Sequence, residues 1–358
     1  MLILYLLPNL ATKSEAVGIK AAHGFLNFFR FSSAFMKNSV LFLSLLTAFV
    51  FSFTLLASAQ QKPGDDVIKA PDVFEVRLPV TVVDKKKQPI SGLKKSDFVV
   101  LEDGKEQEVT FFTDESDNPP VYVGVMMDTS PSTAGKTKFS KEAAKNFLFT
   151  VMRVRKDKAA FLTFDHEIKL RQDFTDKTDL LGKAVDAVKE VGNKTSLYDA
   201  VYQFCDEKLR GAAGRRVIVL ITDGDDTFSR ADLNDAIDIA QRTETTVFAI
   251  STKAGFLASV PGVEAGTVRD TGDKDLVRLA KETGGQAFFT GDMLALEKSF
   301  GLISKQLRTQ YYLTYKPANQ NYDGVERKIE VRLADNGKDG DHKIFTKSGY
   351  RAVRDRIR

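Results

Sequence analysis

Between residues 121 and 307, short and almost uninterrupted apolar runs alternate with longer stretches whose apolar residues recur at helical spacing, and this alternation constrains the fold more than any other feature. The runs Val121 to Met127, Ala159 to Phe164, Val217 to Ile221, Thr246 to Ile250 and Gln286 to Phe289 have the length of strands. The stretches Phe139 to Met152, Asp179 to Val191, Leu197 to Leu209, Ala231 to Arg242, Lys274 to Thr283 and Leu294 to Leu307 have that of helices. A strand apolar at nearly every position is covered on both faces, which is the condition of a parallel sheet between two layers of helices. The expected class is therefore α/β, with a doubly wound, mostly parallel sheet. Ligands of such sheets bind beyond the carboxyl ends of the strands, so chemistry is to be sought in those loops.

Three of the loops carry oxygen donors. Met127 leads into Asp128-Thr129-Ser130-Pro131-Ser132, which sets a carboxylate and two hydroxyls on alternate residues. Gly192-Asn193-Lys194-Thr195-Ser196 offers the hydroxyl of Thr195 just before a helix, and Ile221-Thr222-Asp223-Gly224 places Asp223 at a strand end. A hard cation such as Mg²⁺ takes about six oxygens at roughly 2.0–2.1 Å and usually keeps some waters. Two carboxylates and three hydroxyls supply the protein's share. The neutral hydroxyls leave positive charge on the ion, which can then accept a carboxylate from outside.

These residues resemble the von Willebrand factor type A (VWA) family, whose metal-ion-dependent adhesion site (MIDAS) reads D-x-S-x-S, then T, then D. The resemblance implies a Rossmann-like domain and, position by position, the metal set Asp128, Ser130, Ser132, Thr195 and Asp223. The ion it implies is Mg²⁺ (or Ca²⁺/Mn²⁺), and the partner is a protein that contributes a carboxylate. Thr195-Ser196-Leu197-Tyr198-Asp199-Ala200 is similar to the family's helix start, and Ile221 to Gly224 to its fourth strand end. Pro131 and the pair Asn193-Lys194 stand where glycines are common; the first stiffens a loop, and the second puts a cation near the metal. Leu78 to Phe112 before the domain, and Leu307-Arg308-Thr309-Gln310-Tyr311-Tyr312-Leu313 with Ser348-Gly349-Tyr350 after it, resemble an exported bacterial subfamily described from acidobacteria.

Blander readings apply to other residues. Asp199 suits a helix start rather than direct ligation, and Asp225 and Asp226 are expected to be solvated, since the late glutamate of an EF-hand is missing. Asp165-His166-Glu167 marks a turn between strands. Only His23, His166 and His342 exist, which leaves no histidine-rich zinc centre. No G-x-S-x-G elbow, Walker A loop or G-x-G-x-x-G is present. A metal-dependent hydrolase using the same ion needs a general base beside it, and no histidine is placed to serve. The remaining rival is a structural envelope protein with a vestigial site. Cys205 is the only cysteine, so intramolecular disulfides and cysteine zinc sites are excluded.

The flanks read as strands. Phe74, Val76, Leu78, Val80 and Val82 alternate with more polar positions, and Phe98 to Leu101 and Val109 to Phe112 bracket the hairpin dipeptide Asp103-Gly104. After residue 307, Tyr311, Leu313 and Tyr315 alternate, followed by Ile329, Val331 and Leu333 and by Ile344-Phe345, with turns at Asn336-Gly337 and Asp339-Gly340. Neither half has enough strands for a core of its own. Residues 73–118 and 308–358 are thus expected to form one β-sandwich-like module interrupted by the domain at 119–307. Its inner face is expected to set Leu78, Val80, Val82, Val99 and Phe111 against Tyr311, Leu313, Ile329, Val331 and Phe345.

Residues 60–72 read as a polar linker. Upstream, Ser39 to Leu56 is an uncharged apolar run after Met36-Lys37, and it ends in Ala57-Ser58-Ala59, the pattern of a secretory signal cleaved before Gln60. On this reading residues 1–59 are an N-terminal extension and signal peptide, Met36 is the true start, and the product is secreted or resides in the periplasm or cell envelope. Retention of the apolar run would anchor it in a membrane. The formal charge of +4 falls to about +1 once Lys13, Lys20, Arg30, Lys37 and Glu15 are set aside, so nothing electrostatic favours nucleic acid. The expected function is a non-enzymatic, exported binding protein.

Overall fold

Val121–Asp128 (β5) is the central strand of the molecule, and its side chains point alternately into two different cores. The computed structural model describes residues 74–114, 119–189, 191–253, 270–289, 292–334 and 342–353. The signal and linker readings, and the turns at Asn336-Gly337 and Asp339-Gly340, lie outside them. Next to β5 run Lys158–Phe164 (β6) and Arg215–Thr222 (β8), both parallel to it. With Ile168–Thr175 (β7), Thr245–Ser251 (β9) and Ala287–Phe288 (β10) they form a six-stranded sheet of order β10-β9-β8-β5-β6-β7, in which β7 alone is antiparallel. This is the expected α/β sheet, mixed but mostly parallel.

Val121, Val123, Val125 and Met127 face one core, made with Thr137–Val151 (α1), Thr178–Asp186 (α2) and Met293–Arg308 (α6) through Phe147, Leu181 and Phe300. Met126, Ile218 and Leu220 face the other, made with Leu197–Phe204 (α3), Leu233–Arg242 (α4) and Thr271–Glu282 (α5). Burying side chains of this size contributes about 1.5–3 kcal/mol each, so double-sided strands carry much of the stability. Three helices begin on an aspartate whose side chain accepts a backbone N–H: Asp232 for α4, Asp270 for α5 and Asp292 for α6. The helix expected over 197–209 changes at its end, because Cys205–Leu209 forms a π-helical turn.

The flanking strands join across the chain. Val76–Val83 (β1) pairs antiparallel with Tyr311–Tyr315 (β11) and with Lys343–Phe345 (β13), while Phe98–Glu102 (β2) pairs with Glu326–Leu333 (β12). Among the described residues they make two four-stranded sheets. In one, β11 lies between β1 and Val109–Thr113 (β4); in the other, β12 lies between β2 and Gly349–Arg351 (β14). Leu78, Val80, Val100, Tyr311, Leu313 and Ile329 share their core. Glu102 is buried there and accepts hydrogen bonds from Tyr315 Oη at 2.6 Å and Tyr350 Oη at 2.9 Å, which ties one sheet to the other.

Two expectations fail in detail. Asp103-Gly104 does turn, with φ of 48° and 79°, but the returning strand is Lys105–Gln107 (β3), and β4 crosses to the other sheet. The inner face also has a different parity. Phe98 and Val100 point inward and leave Val99 half-buried; Val109 is inward and Phe111 is 56% exposed. A register shift of β4 against Thr314 and Tyr315 accounts for the latter, since one extra residue reverses which side chains face the core. Phe345 is only half-buried at a strand end.

Candidate metal centre

Asp128 is the last residue of β5 and sits at the carboxyl edge of the sheet, 3% exposed. Its Oδ1 accepts from Ser130 N at 2.8 Å and its Oδ2 from Thr222 Oγ1 at 2.6 Å. Burial pushes this carboxyl up to about 6; the Ser130 and Thr222 hydrogen bonds pull it down, and the Asp223 charge adds to the rise. The following loop closes as a 3₁₀ turn, Pro131–Lys136, with proline at its first position, where the fixed φ fits and no N–H is needed. Pro131 therefore suits the start of this turn. Ser130 Oγ and Ser132 Oγ lie 3.1 Å apart, and Thr133 Oγ1 donates back to Ser130 O at 2.9 Å.

Asp223 is 1% exposed, one residue beyond β8. Its Oδ1 is buried with no hydrogen-bond partner among the described residues, and its Oδ2 lies 3.9 Å from Lys136 Nζ. Gly224 takes the sharp exit at φ +83°, where a Cβ would also stand 2.6 Å from Gly272 O. The chain thus brings two carboxylates into a water-poor setting, one with an unmatched oxygen. A buried carboxylate is costly unless a donor or a cation meets it. The donors are hard oxygens, and among the described residues no group of three or more His, Cys, Asp or Glu side chains is fit to hold a metal. The residues present suit Mg²⁺ or Ca²⁺ far better than a soft ion.

Thr195 is buried and held through its backbone: its N–H donates to Thr227 Oγ1 at 3.0 Å, and its carbonyl accepts from Thr227 N at 3.0 Å and Phe228 N at 2.9 Å. The second loop is fastened to the first by Gly192 N donating to Thr129 O at 2.8 Å. Above them the exposed Lys194 ammonium stands 4.1 Å over the Phe228 ring.

Several positioning residues escaped the sequence reading. Thr222 lies inside a quoted motif without an assigned part. Asp165 is more than a turn residue. It accepts from Thr129 Oγ1 at 2.9 Å, and it packs on Gly192 so closely that a Cβ there would be 2.2 Å from its Cγ. His166 Nδ1 lies 2.7 Å from the other Asp165 oxygen. Asp226 is not simply solvated: it accepts from Leu197 N at 2.7 Å and Ser229 Oγ at 2.6 Å, and so caps α3. Asp225 is exposed and pairs with Lys253 at 3.0 Å. Asp199 accepts from Arg230 N and Ala231 N, a structural tie rather than a ligand. Asp165 had one signal, its place at a strand's carboxyl end.

Residues 123–301 match the family model of the von Willebrand factor type A domain. No curated protein matches the chain. Among solved structures, a von Willebrand factor type A protein from Catenulispora acidiphila is 12% identical over 79% of this chain and 75% of its own, with a TM-score of 0.42. An aerotolerance-related membrane protein from Bacteroides fragilis, carrying multiple mutations to serine, is 15% identical over 52% and 98%, with a TM-score of 0.41. Proximal thread matrix protein 1 from the mussel byssus, with a zinc-occupied MIDAS motif, is 13% identical over 56% and 48%, also at 0.42.

Proposed function

The chain belongs to the von Willebrand factor type A domain family, and from that premise we propose that it binds a protein partner through a divalent cation held by Asp128, Ser130, Ser132, Thr195 and Asp223. The observation that carries this reading is the pair of buried carboxylates, one with an oxygen that no donor among the described residues satisfies. Mg²⁺ (or Ca²⁺/Mn²⁺) would supply the missing positive charge and, ringed by neutral hydroxyls, keep enough of it to attract a partner's carboxylate. The chain's residues do the rest: Thr222 and the Ser130 N–H orient Asp128, and Lys136 offsets the charge of Asp223. Chemistry on the partner is not part of this reading.

Calorimetry with Mg²⁺ tests the assignment. Asp128→Ala and Asp223→Ala should each abolish binding while circular dichroism stays unchanged, because the two cores beneath the loops do not include either side chain. Unchanged binding in either variant sinks it.

Export belongs to the same proposal, with the signal segment removed before Gln60 and the product in the envelope or outside, as the likeness of the flanks to an exported subfamily suggests. Among the described residues no helix is long and apolar enough to cross a membrane. Mass spectrometry of the protein from its own cells should find an N-terminus at Gln60; a chain that keeps the run Ser39 to Leu56 is membrane-anchored instead.

A further inference from the structure

Away from the metal loops, a cleft of about 290 Å³ opens between the end of α4 and the strands β1 and β14. Four cations line it, Arg77, Arg242, Lys347 and Arg351, against the carboxylates of Glu75 and Glu244. Three of the four already have acidic partners. Arg77 lies 3.6 Å from Glu244, and Arg242 and Arg351 share Asp238 at 3.5 and 3.6 Å. Lys347 has no carboxylate partner among the described residues although it is only 5% exposed. Its ammonium donates to Gln241 O at 3.3 Å and stands 5.8 Å from the Tyr350 ring.

A buried ammonium carries three donors and a full charge, and one long bond to a carbonyl answers neither. Capping the last turn of α4 explains that single bond and leaves the charge without a salt-bridged carboxylate, Glu244 acting on it only from a distance. The lysine is held in place by its backbone, since residues 346–348 dock on the end of α5 through a bridge between Thr283 and Lys347 and a bond from Ser348 N to Glu282 O. Beside it, Phe74 packs against Tyr322 and Tyr350 at ring distances of 5.1 and 5.4 Å, giving the cleft an aromatic wall.

We propose that this cleft is a second ligand site, in which a small carboxylate- or phosphate-bearing molecule seats on Lys347, with the more exposed Arg77 and Arg351 as auxiliary contacts. Burial lowers the Lys347 ammonium to about 8, with Glu244 pulling it back up and Arg77 adding to the fall, so the group is still largely charged at pH 7. The site is independent of the metal centre.

The test is calorimetry on the full chain at constant ionic strength with sodium phosphate and sodium benzoate, against a chloride reference. Saturable heat with either anion supports the site, and which of the two binds identifies phosphate or carboxylate as its ligand. Lys347→Met keeps the apolar stem and should weaken that binding about tenfold or more, as expected for a charge-assisted contact. Arg351→Gln should weaken it less, and Asp223→Ala with chelator present should leave it unchanged. If Lys347→Met fails to fold, Arg77→Gln combined with Arg351→Gln carries the test. Absence of saturable binding to the wild type, or affinity equal to wild type in Lys347→Met or in that double variant, overturns the proposal.

Discussion

Burial acts on Asp128 in a way that can be measured. In the folded, metal-free chain its carboxyl keeps the proton up to about pH 6, whereas its ordinary value is 3.8. Between those values the folded state binds more protons than the unfolded one, so stability falls as pH rises through the window, by up to about 3 kcal/mol. Carboxylates held low by cationic partners, such as Asp157 and Asp270, act in the opposite sense and are common to both proteins in a comparison with Asp128→Asn. Urea midpoints measured in chelator at pH 4.5 and pH 7 should therefore fall more steeply for wild type than for Asp128→Asn, and saturating Mg²⁺ should restore the wild type at pH 7. Equal slopes would remove burial as the dominant influence on Asp128. The five proposed donors could be read in the sequence because each lies in a short motif, at a strand end for Asp128, Ser130, Ser132 and Asp223 and just before a helix for Thr195. Their supports could not, because those contacts join distant parts of the chain: Thr222 reaches Asp128 across 94 residues, and Thr129 reaches Asp165 across 36.

At the scale of elements, the position of Thr195 depends on how α3 lies on the sheet. Gly124 in β5 makes room for the Phe204 ring of α3; a Cβ there would stand 2.1 Å from Phe204 Cε1. That ring is fixed in turn against Phe174 at 6.0 Å, so it cannot step aside freely. Gly124→Ala should cost about 1–3 kcal/mol of stability by overpacking. Because α3 begins two residues after Thr195, the same change should weaken Mg²⁺ binding. Gly135→Ala is the control, since a Cβ there meets nothing within 4 Å. A Gly124→Ala protein with the wild-type urea midpoint and wild-type affinity would contradict this. The helices and parallel strands were legible because apolar period reports burial directly. Alternation gives the two faces of a flanking strand, but where a register shift intervenes it cannot say which one turns inward, and this is why Val109 faces the core while Phe111, two residues on, faces out. Nor does local patterning reveal that β4 leaves its hairpin neighbour, since β3 is only three residues long and Glu108 alone separates the two.

At the scale of the molecule, the question is whether residues 119–307 and the two flanks are separate folding units. The flanks have a core of their own, and one of the two inner strands of each sheet comes from the C-terminal side: β11 lies between β1 and β4, and β12 between β2 and β14. A chain ending at residue 310 therefore loses an inner strand of each sheet. It keeps the contacts that close the domain, in which Arg308 reaches Asp157 at 2.7 Å and the buried Arg215 donates to Gln310 O at 2.8 Å and to Leu307 O. The strands left behind would be β1 and β4 without neighbours and the β2–β3 hairpin, too little to be stable alone. Leu78, Val80, Val82 and Val100, all fully buried in the whole chain, would face water. Limited proteolysis of the truncated protein should cut rapidly within residues 74–114, while calorimetry still finds Mg²⁺ binding and the fragment from 119 onward resists digestion. Protection of the N-terminal strands in the truncated protein would show that they do not depend on the C-terminal ones. Loss of Mg²⁺ binding along with that protection would show instead that the module and the domain fold as one unit.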